Sequence, residues 1–192
     1  MIQQGLPLPP KKARALLWKE YYAQGLEYQQ IFQKYLEKIL GKIDYKILAA
    51  GVLAYKRAKD GQIKTYPDVA PTLSELKKRG LVLAIVTDAP GVQAWSRLYL
   101  LGLQDAFDYV QTIEDSGVKK PAPEPFKKAL DCLKLSPTHV LFVGDSLERD
   151  ITGAKAVGLK TAWAKYGSPL DEPHSIKPDY ALRNFKQLLE IV

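Results

Sequence analysis

Two kinds of hydrophobic spacing divide the chain. Over its first third, apolar residues recur at helical intervals. Ile31, Phe32, Tyr35, Leu36, Ile39 and Leu40 fall on one helix face, and Gly41 follows as a natural stop. Asp44 then opens a second helix carrying Ile47, Leu48 and Val52. No run in this region reads as strand. Asp60-Gly61 marks a turn, and beyond it the pattern changes. A helix over 71–79 ends at Gly80, and a continuous apolar run over 81–86 reads as a buried strand ending at Thr87-Asp88. Next come a helix with Trp95, Leu98 and Leu101, a short strand at Tyr109-Val110, and the Gly- and Pro-rich loop "TIEDSGVKKPAPEP". The pattern closes with a helix over 125–133, a strand over 140–143, a helix over 149–157, a strand over 161–164, and a final short strand and helix ending "FKQLLEIV".

Continuous apolar strands alternating with helices predict a parallel sheet covered on both faces. The expected architecture is therefore an α/β layer domain over residues 64–192 with a small helical domain at 1–63. The chain has 192 residues, 46% hydrophobic and 26% charged, enough for one sizeable core with an appendage. No apolar run is long enough to span a bilayer, and the N-terminus has no apolar signal core with a cleavage site, so a cytoplasmic protein is expected. The single cysteine, Cys132, allows no internal disulfide, and its helix neighbours Phe126, Leu130 and Leu133 predict a core position.

Net charge is +7, but the basic residues are scattered pairs such as Lys11-Lys12, Lys77-Lys78, Lys119-Lys120 and Lys127-Lys128. With no basic helix face and no interleaved aromatics, no nucleic-acid or membrane partner is expected. The low count of Asn, Met and Cys beside many Lys and Tyr leans towards a thermophilic source.

Ligands of such sheets bind outside the carboxyl ends of the strands. The strand over 81–86 delivers Thr87 and Asp88 there. The next loop offers Glu114, Lys119 and Lys120, and the strand over 140–143 delivers Asp145, with Asp150 on the following turn. Two carboxylates suit a hard divalent cation such as magnesium, which keeps several waters. A lysine and a hydroxyl suit a phosphoryl group. Each residue taken alone also has an ordinary structural role. Thr87 fits a helix cap, Asp88 a turn, Lys120 a surface lysine, Gly144-Asp145 a tight turn, and Asp150 a first-turn acid favoured by the helix dipole. Their order and shared placement at one sheet edge carry the functional reading. His139 and His174 are isolated, so no zinc site is expected, and no Gly-x-x-x-x-Gly-Lys-Ser/Thr loop occurs.

The segments "LAIVTDAP", "GVKKPAPEPF" and "VLFVGDSLERDITGAKAVGLKTAW" resemble, in order and separation, the second, third and fourth motifs of the haloacid dehalogenase (HAD) superfamily of hydrolases. "KILAAGVLAY" before "YPDV" resembles the helical cap of a phosphatase-like subgroup. The resemblance implies a Rossmann-like parallel sheet as the core and a cap at 1–63. It assigns Thr87 and Lys120 to catalysis, Thr87, Asp88 and Lys120 to phosphate binding, and Asp145 and Asp150 to Mg2+. Gly144-Asp145, where dehalogenating members resemble Ser-Asn, favours the metal-dependent phosphatases. The implied partner is a small phosphorylated metabolite, and a homodimer is a candidate assembly.

The family's first motif, Asp-x-Asp at the end of the first core strand, does not occur in these 192 residues. Its first Asp is the nucleophile that forms an aspartyl-phosphate, and its second is the general acid and base. By family topology that strand lies between the one ending at Thr87 and the one ending at Asp145. The expectation is that it lies upstream of Met1, with a fragment or a degenerate, non-catalytic phosphate-binding or interaction protein as alternatives. The chain as written is expected not to turn over phosphate esters.

Overall fold

The structure is a computed structural model that describes residues 5–24, 30–168 and 175–192. His174 therefore lies outside the described residues. The chain divides into two compact units, Met1–Ile63 and Lys64–Val192.

The first unit holds the helices α1 (Pro10–Gln24), α2 (Ile31–Leu40) and α3 (Tyr45–Asp60). Its core joins Leu6 and Ala13 to Ile31, Phe32, Tyr35 and Leu36 of α2 and to Ile47 and Leu48 of α3. These are the helically spaced positions seen in the sequence. Gly41 ends α2 at φ 69°, a left-handed backbone that glycine adopts without a Cβ penalty. The Asp44 carboxylate starts α3 by accepting the backbone N–H groups of Lys46 and Ile47 at 3.0 and 3.1 Å. Between α1 and α2, the Tyr35 hydroxyl donates to the Ala13 carbonyl at 3.0 Å, and burial raises the pKa of that phenol. Glu20 and Lys38 form an ion pair across the same two helices.

The second unit begins with α4 (Val69–Lys78), β1 (Ala84–Val86), α5 (Gly91–Leu101) and β2 (Tyr109–Gln111). It continues with α6 (Ile113–Ser116), α7 (Glu124–Leu133), β3 (Leu141–Gly144), α8 (Thr152–Ala156), β4 (Lys160–Ala164) and β5 (Tyr180–Leu182). Every pairing among the described strands is parallel, as the alternation predicts. The strands form two separate sheets, however. One is β1-β2, with Ile85 opposite Val110, and the other is β3-β4-β5, with Val143 opposite Ala162 and Trp163 opposite Ala181. β1 and β3 thus each keep one edge unpaired by another described strand.

Apolar layers cover the β3 sheet on both faces. Leu141 and Val143 turn towards Leu76 of α4, Leu182, and Leu188 of a C-terminal 3-10 turn (Phe185–Glu190). Val140 and Phe142 turn the other way, towards Phe126 and Leu130 of α7 and Ala154 of α8. The Phe126 and Phe142 rings meet edge to face at 5.0 Å. A cavity of about 870 Å³ lies between the two sheets, lined from one side by Leu83 and Ile85 and from the other by Leu141 and Val143.

That cavity explains the main departure from the expected strand over 81–86. Hydrogen-bonded pairing starts only at Ala84, and Leu81 and Val82 are 38% and 52% exposed. Ahead of it, Asp108 takes the place of a ladder partner: its carboxylate accepts the Leu83 N–H at 2.8 Å, and its N–H donates to the Leu83 carbonyl at 2.7 Å. Cys132 is exposed rather than buried. It lies six residues after Phe126, about 120° around the helix from that ring, so it falls outside the face formed by Phe126, Ala129 and Leu130. The helix expected over 149–157 opens instead as a wide π turn, Leu147–Ile151, before α8.

Candidate active site

The carboxyl ends of β1 and β3 meet through one lysine. Val86 closes β1, and its carbonyl accepts the Lys120 ammonium at 3.0 Å. Asp150, beyond β3, places Oδ1 at 2.8 Å from the same nitrogen. Both side chains are nearly enclosed, at 12% and 6% exposure. A charge so buried is retained when it is paired, and the ion pair with Lys120, rather than a hydrogen bond, serves Asp150 Oδ1. The Lys120 ammonium also lies 5.8 Å from the centroid of the Phe142 ring.

The backbone around Asp150 explains why Gly144 precedes Asp145. A Cβ at Gly144 would fall 2.4 Å from the Cβ of Asp150 and 2.7 Å from its Oδ2. Only glycine lets the end of β3 approach that closely. The π turn then aims Asp150 back at the strand, where its Oδ2 accepts the Ser146 N–H at 3.1 Å. Ser146 Oγ in turn accepts the Arg149 N–H at 3.2 Å and caps the turn. Widened turns of this kind recur at functional sites, where they re-aim one side chain.

Thr87 follows β1 directly. Its N–H donates to the Gln111 carbonyl at 2.9 Å, extending the pairing to β2, and its Oγ1 accepts the Ala89 N–H at 3.1 Å. Acceptance leaves the hydroxyl proton available to an anion. Asp88 is 9% exposed, and its Oδ1 accepts the backbone N–H of Lys120 at 3.0 Å. Its Oδ2 faces the Arg149 guanidinium at 3.8 Å. Asp88 thus ties the Lys120 loop to the end of β1.

Asp145 is half-buried beside Asp150. Burial raises its pKa, the Asp150 charge raises it further, and Arg149 opposes both. The indole N–H of Trp163 holds its backbone, donating to the Asp145 carbonyl at 3.0 Å. A carboxylate pushed up by desolvation and by a like charge is one that a cation relieves. No group of three or more His, Cys, Asp or Glu that could hold a metal occurs among the described residues. Magnesium does not require one, since it is commonly held through one or two carboxylates plus waters and substrate phosphates. Asp145 fits that use. Asp150 has its oxygens directed to Lys120 and Ser146.

The five residues expected from the sequence therefore gather at one edge, while Lys119 is exposed and Glu114 accepts the Gly91 N–H at 2.9 Å. Arg149 and Ser146 were overlooked. Both lie inside the "GDSLERD" segment, and the signal available was their position between two singled-out acids.

Residues 18–164 match the family model of haloacid dehalogenase-like hydrolases. The chain belongs to this family. Among its relatives, a glyceraldehyde 3-phosphate phosphatase of Pyrococcus furiosus is 36% identical across the whole chain and 81% of that protein. The pyrophosphatase PpaX of Bacillus mycoides is 35% identical over 82% of the chain and 75% of that protein. Among solved structures, a HAD phosphatase from Thermococcus onnurineus superposes with a TM-score of 0.71 at 29% identity, covering 94% of this chain and 80% of that one.

Proposed function

We propose that this HAD hydrolase is a magnesium-dependent phosphatase of small organic phosphates. We further propose that it acts through an aspartyl-phosphate whose carboxylate arrives on a strand lying between β1 and β3 and encoded upstream of residue 1. The observation that carries this reading is the Lys120 ammonium, held at 3.0 Å from Val86 O and 2.8 Å from Asp150 at the shared carboxyl edge of the two strands. A fixed positive charge there serves a phosphoryl group, whose transfer is catalysed mostly by positioning and charge stabilisation.

In this reading the Thr87 hydroxyl donates to a phosphoryl oxygen while Ala89 N–H holds its lone pair in place. Lys120 faces the transferred group and the nucleophile, and Asp150 keeps it in register. Asp145 is the metal ligand, and a magnesium ion bound there would neutralise charge on the phosphate oxygens. Asp88, itself an anion, contributes to phosphate binding by fixing the Lys120 backbone rather than by touching phosphate. The helical unit 1–63 acts as the cap that selects the substrate. Glyceraldehyde 3-phosphate and pyrophosphate, the substrates in the names of the two relatives, are the first to test.

The test is phosphate release from a panel of phosphate monoesters and pyrophosphate, with magnesium, by protein carrying the upstream strand. Asp145→Ala should abolish turnover. Lys120→Ala should lower kcat by about 10²–10³-fold, as the loss of one electrostatic contact does elsewhere. Lys119→Ala should change little. Equal turnover in the wild type and Asp145→Ala would reject the assignment. Inertness across the whole panel would favour a non-catalytic phosphate-binding protein on the same scaffold.

A further inference from the structure

Arg149 stands at the edge of the site, and the fold itself makes little use of its guanidinium. One oxygen sets its position. Ser146 Oγ accepts the Arg149 backbone N–H at 3.2 Å and its side-chain Nε–H at 3.4 Å. Pinned there beyond β3, the guanidinium reaches towards the end of β1, where its Nη1 lies 3.8 Å from Asp88 Oδ2. That is an ion-pair distance, too long for a hydrogen bond. The side chain is half exposed, so the pair contributes little to stability. Among the described residues, hydrogen bonds engage the guanidinium at Nε and leave its Nη groups to an outside acceptor.

The same Asp88 carboxylate accepts the Lys120 N–H at 3.0 Å through its other oxygen. The guanidinium therefore lies one carboxylate away from the loop that carries the Lys120 ammonium. It is also close enough to Asp145 to oppose the rise of that carboxyl's pKa. Lys120, Asp145 and Arg149 thus share one edge. An arginine fork matches an oxyanion with two parallel N–H···O bonds, which a lysine cannot do. A phosphate ester held by Thr87 and Lys120, and carrying a second oxyanion a few bonds away, would bring that group to the fork. An ester with an uncharged distal group would gain no such contact.

We propose that Arg149 is a specificity residue whose guanidinium binds a second oxyanion on the substrate, and so selects small organic phosphates that carry one. The proposal deepens the phosphatase reading and rests on it. It adds a selecting residue in the second unit to the selection assigned to the helical unit 1–63. Asp88 occupies the fork loosely when no substrate is bound, and a 3.8 Å contact is one that a bidentate oxyanion displaces.

The experiment is calorimetric titration of the whole 192-residue chain with magnesium present, which reads binding apart from turnover. The probes are 3-phosphoglycerate and glycerol 3-phosphate. They share a three-carbon phosphate ester and differ in ending on a carboxylate or on a hydroxymethyl group. The wild type should bind 3-phosphoglycerate about tenfold more tightly, the gain from one charge-assisted contact. Arg149→Gln should bring the two affinities level. Arg149→Lys keeps the charge without the fork, so its preference should fall between. Thr87→Val removes the hydroxyl assigned to the shared phosphoryl group, so it should weaken both esters and keep their ratio. A wild type that binds the two alike, or an Arg149→Gln that keeps the preference, would overturn the proposal, and weaker binding in Thr87→Val would still uphold the phosphate site. Both affinities unchanged in Thr87→Val would reject the phosphate site itself, and the proposal with it.

Discussion

Removing Lys120 should expose how much of the fold depends on the site. Its ammonium lies 2.8 Å from Asp150 Oδ1, and it also satisfies Val86 O. In Lys120→Ala, Asp150, whose side chain is 6% exposed in the wild type, loses that cation and keeps the Ser146 N–H at 3.1 Å as a donor. Breaking a buried pair by deleting one partner costs about 3–5 kcal/mol, because an uncompensated charge remains. With an m-value of about 2 kcal/mol/M, the urea midpoint should fall by about 1.5–2.5 M. Asp150→Leu alone should be similarly costly, since it strands the ammonium. The double variant Lys120→Ala with Asp150→Leu removes both charges, so its loss should fall short of the sum of the singles by about 2–3 kcal/mol. Urea unfolding followed by circular dichroism measures all three. A loss below about 1 kcal/mol in Lys120→Ala, with additive singles, would refute the reasoning, because the pair would then behave like an exposed one.

Other outcomes follow from single contacts. Gly144→Ala places a methyl 2.4 Å from the Asp150 Cβ, an overpacking worth about 1–3 kcal/mol. Its melting temperature should therefore drop by about 2–12 °C, and an unchanged value would contradict the close approach. Asp88→Asn keeps an acceptor for the Lys120 N–H and should cost under about 1 kcal/mol, whereas Asp88→Ala should cost about 1–3 kcal/mol by orphaning that group; equal losses in urea would remove the distinction. The pKa of Asp179 is lowered, first by the Thr161 hydroxyl at 2.7 Å and then, after a smaller opposing effect of burial, by the Thr161 N–H at 2.8 Å and Lys155. A carboxylate depressed in the folded state contributes stability that is present above the ordinary value and lost as pH falls through the folded one. Thermal melting should thus fall more steeply below about pH 4 in the wild type than in Asp179→Asn, and parallel curves would count against it.

Much of the site was legible because parallel strands bring their carboxyl ends to one edge. Apolar runs that stop at Thr87-Asp88 and Gly144-Asp145 name the edge without any knowledge of pairing. The division near residue 63 was legible for a similar reason, since helical spacing gives way there to strand runs. The contacts that give the residues their roles were not legible. Lys120 reaches Val86 and Asp88 across 34 and 32 residues of chain, and no local spacing encodes such bonds. Asp88 was expected at the phosphate, yet its oxygens serve Lys120 N–H and Arg149. The strand is shorter than the apolar run over 81–86 because such a run reports a tendency to be buried, while Leu81 and Val82 are exposed and pairing starts at Ala84. Cys132 departs from its expected core position because Phe126 and Leu130 sit on a helix stripe that six residues do not return to.

The most direct measurement is a paired assay of residues 1–192 and of the same chain extended upstream through a strand ending in Asp-x-Asp, with magnesium and a chromogenic phosphate ester. The account places Thr87, Lys120 and Asp145 at one edge and assigns the attacking carboxylate to the strand between β1 and β3. It predicts efficient turnover by the long chain and none by the short one beyond a slow background. Equal turnover by both would contradict it, because a nucleophile would then reside within these 192 residues and the cleft would have no part in the chemistry.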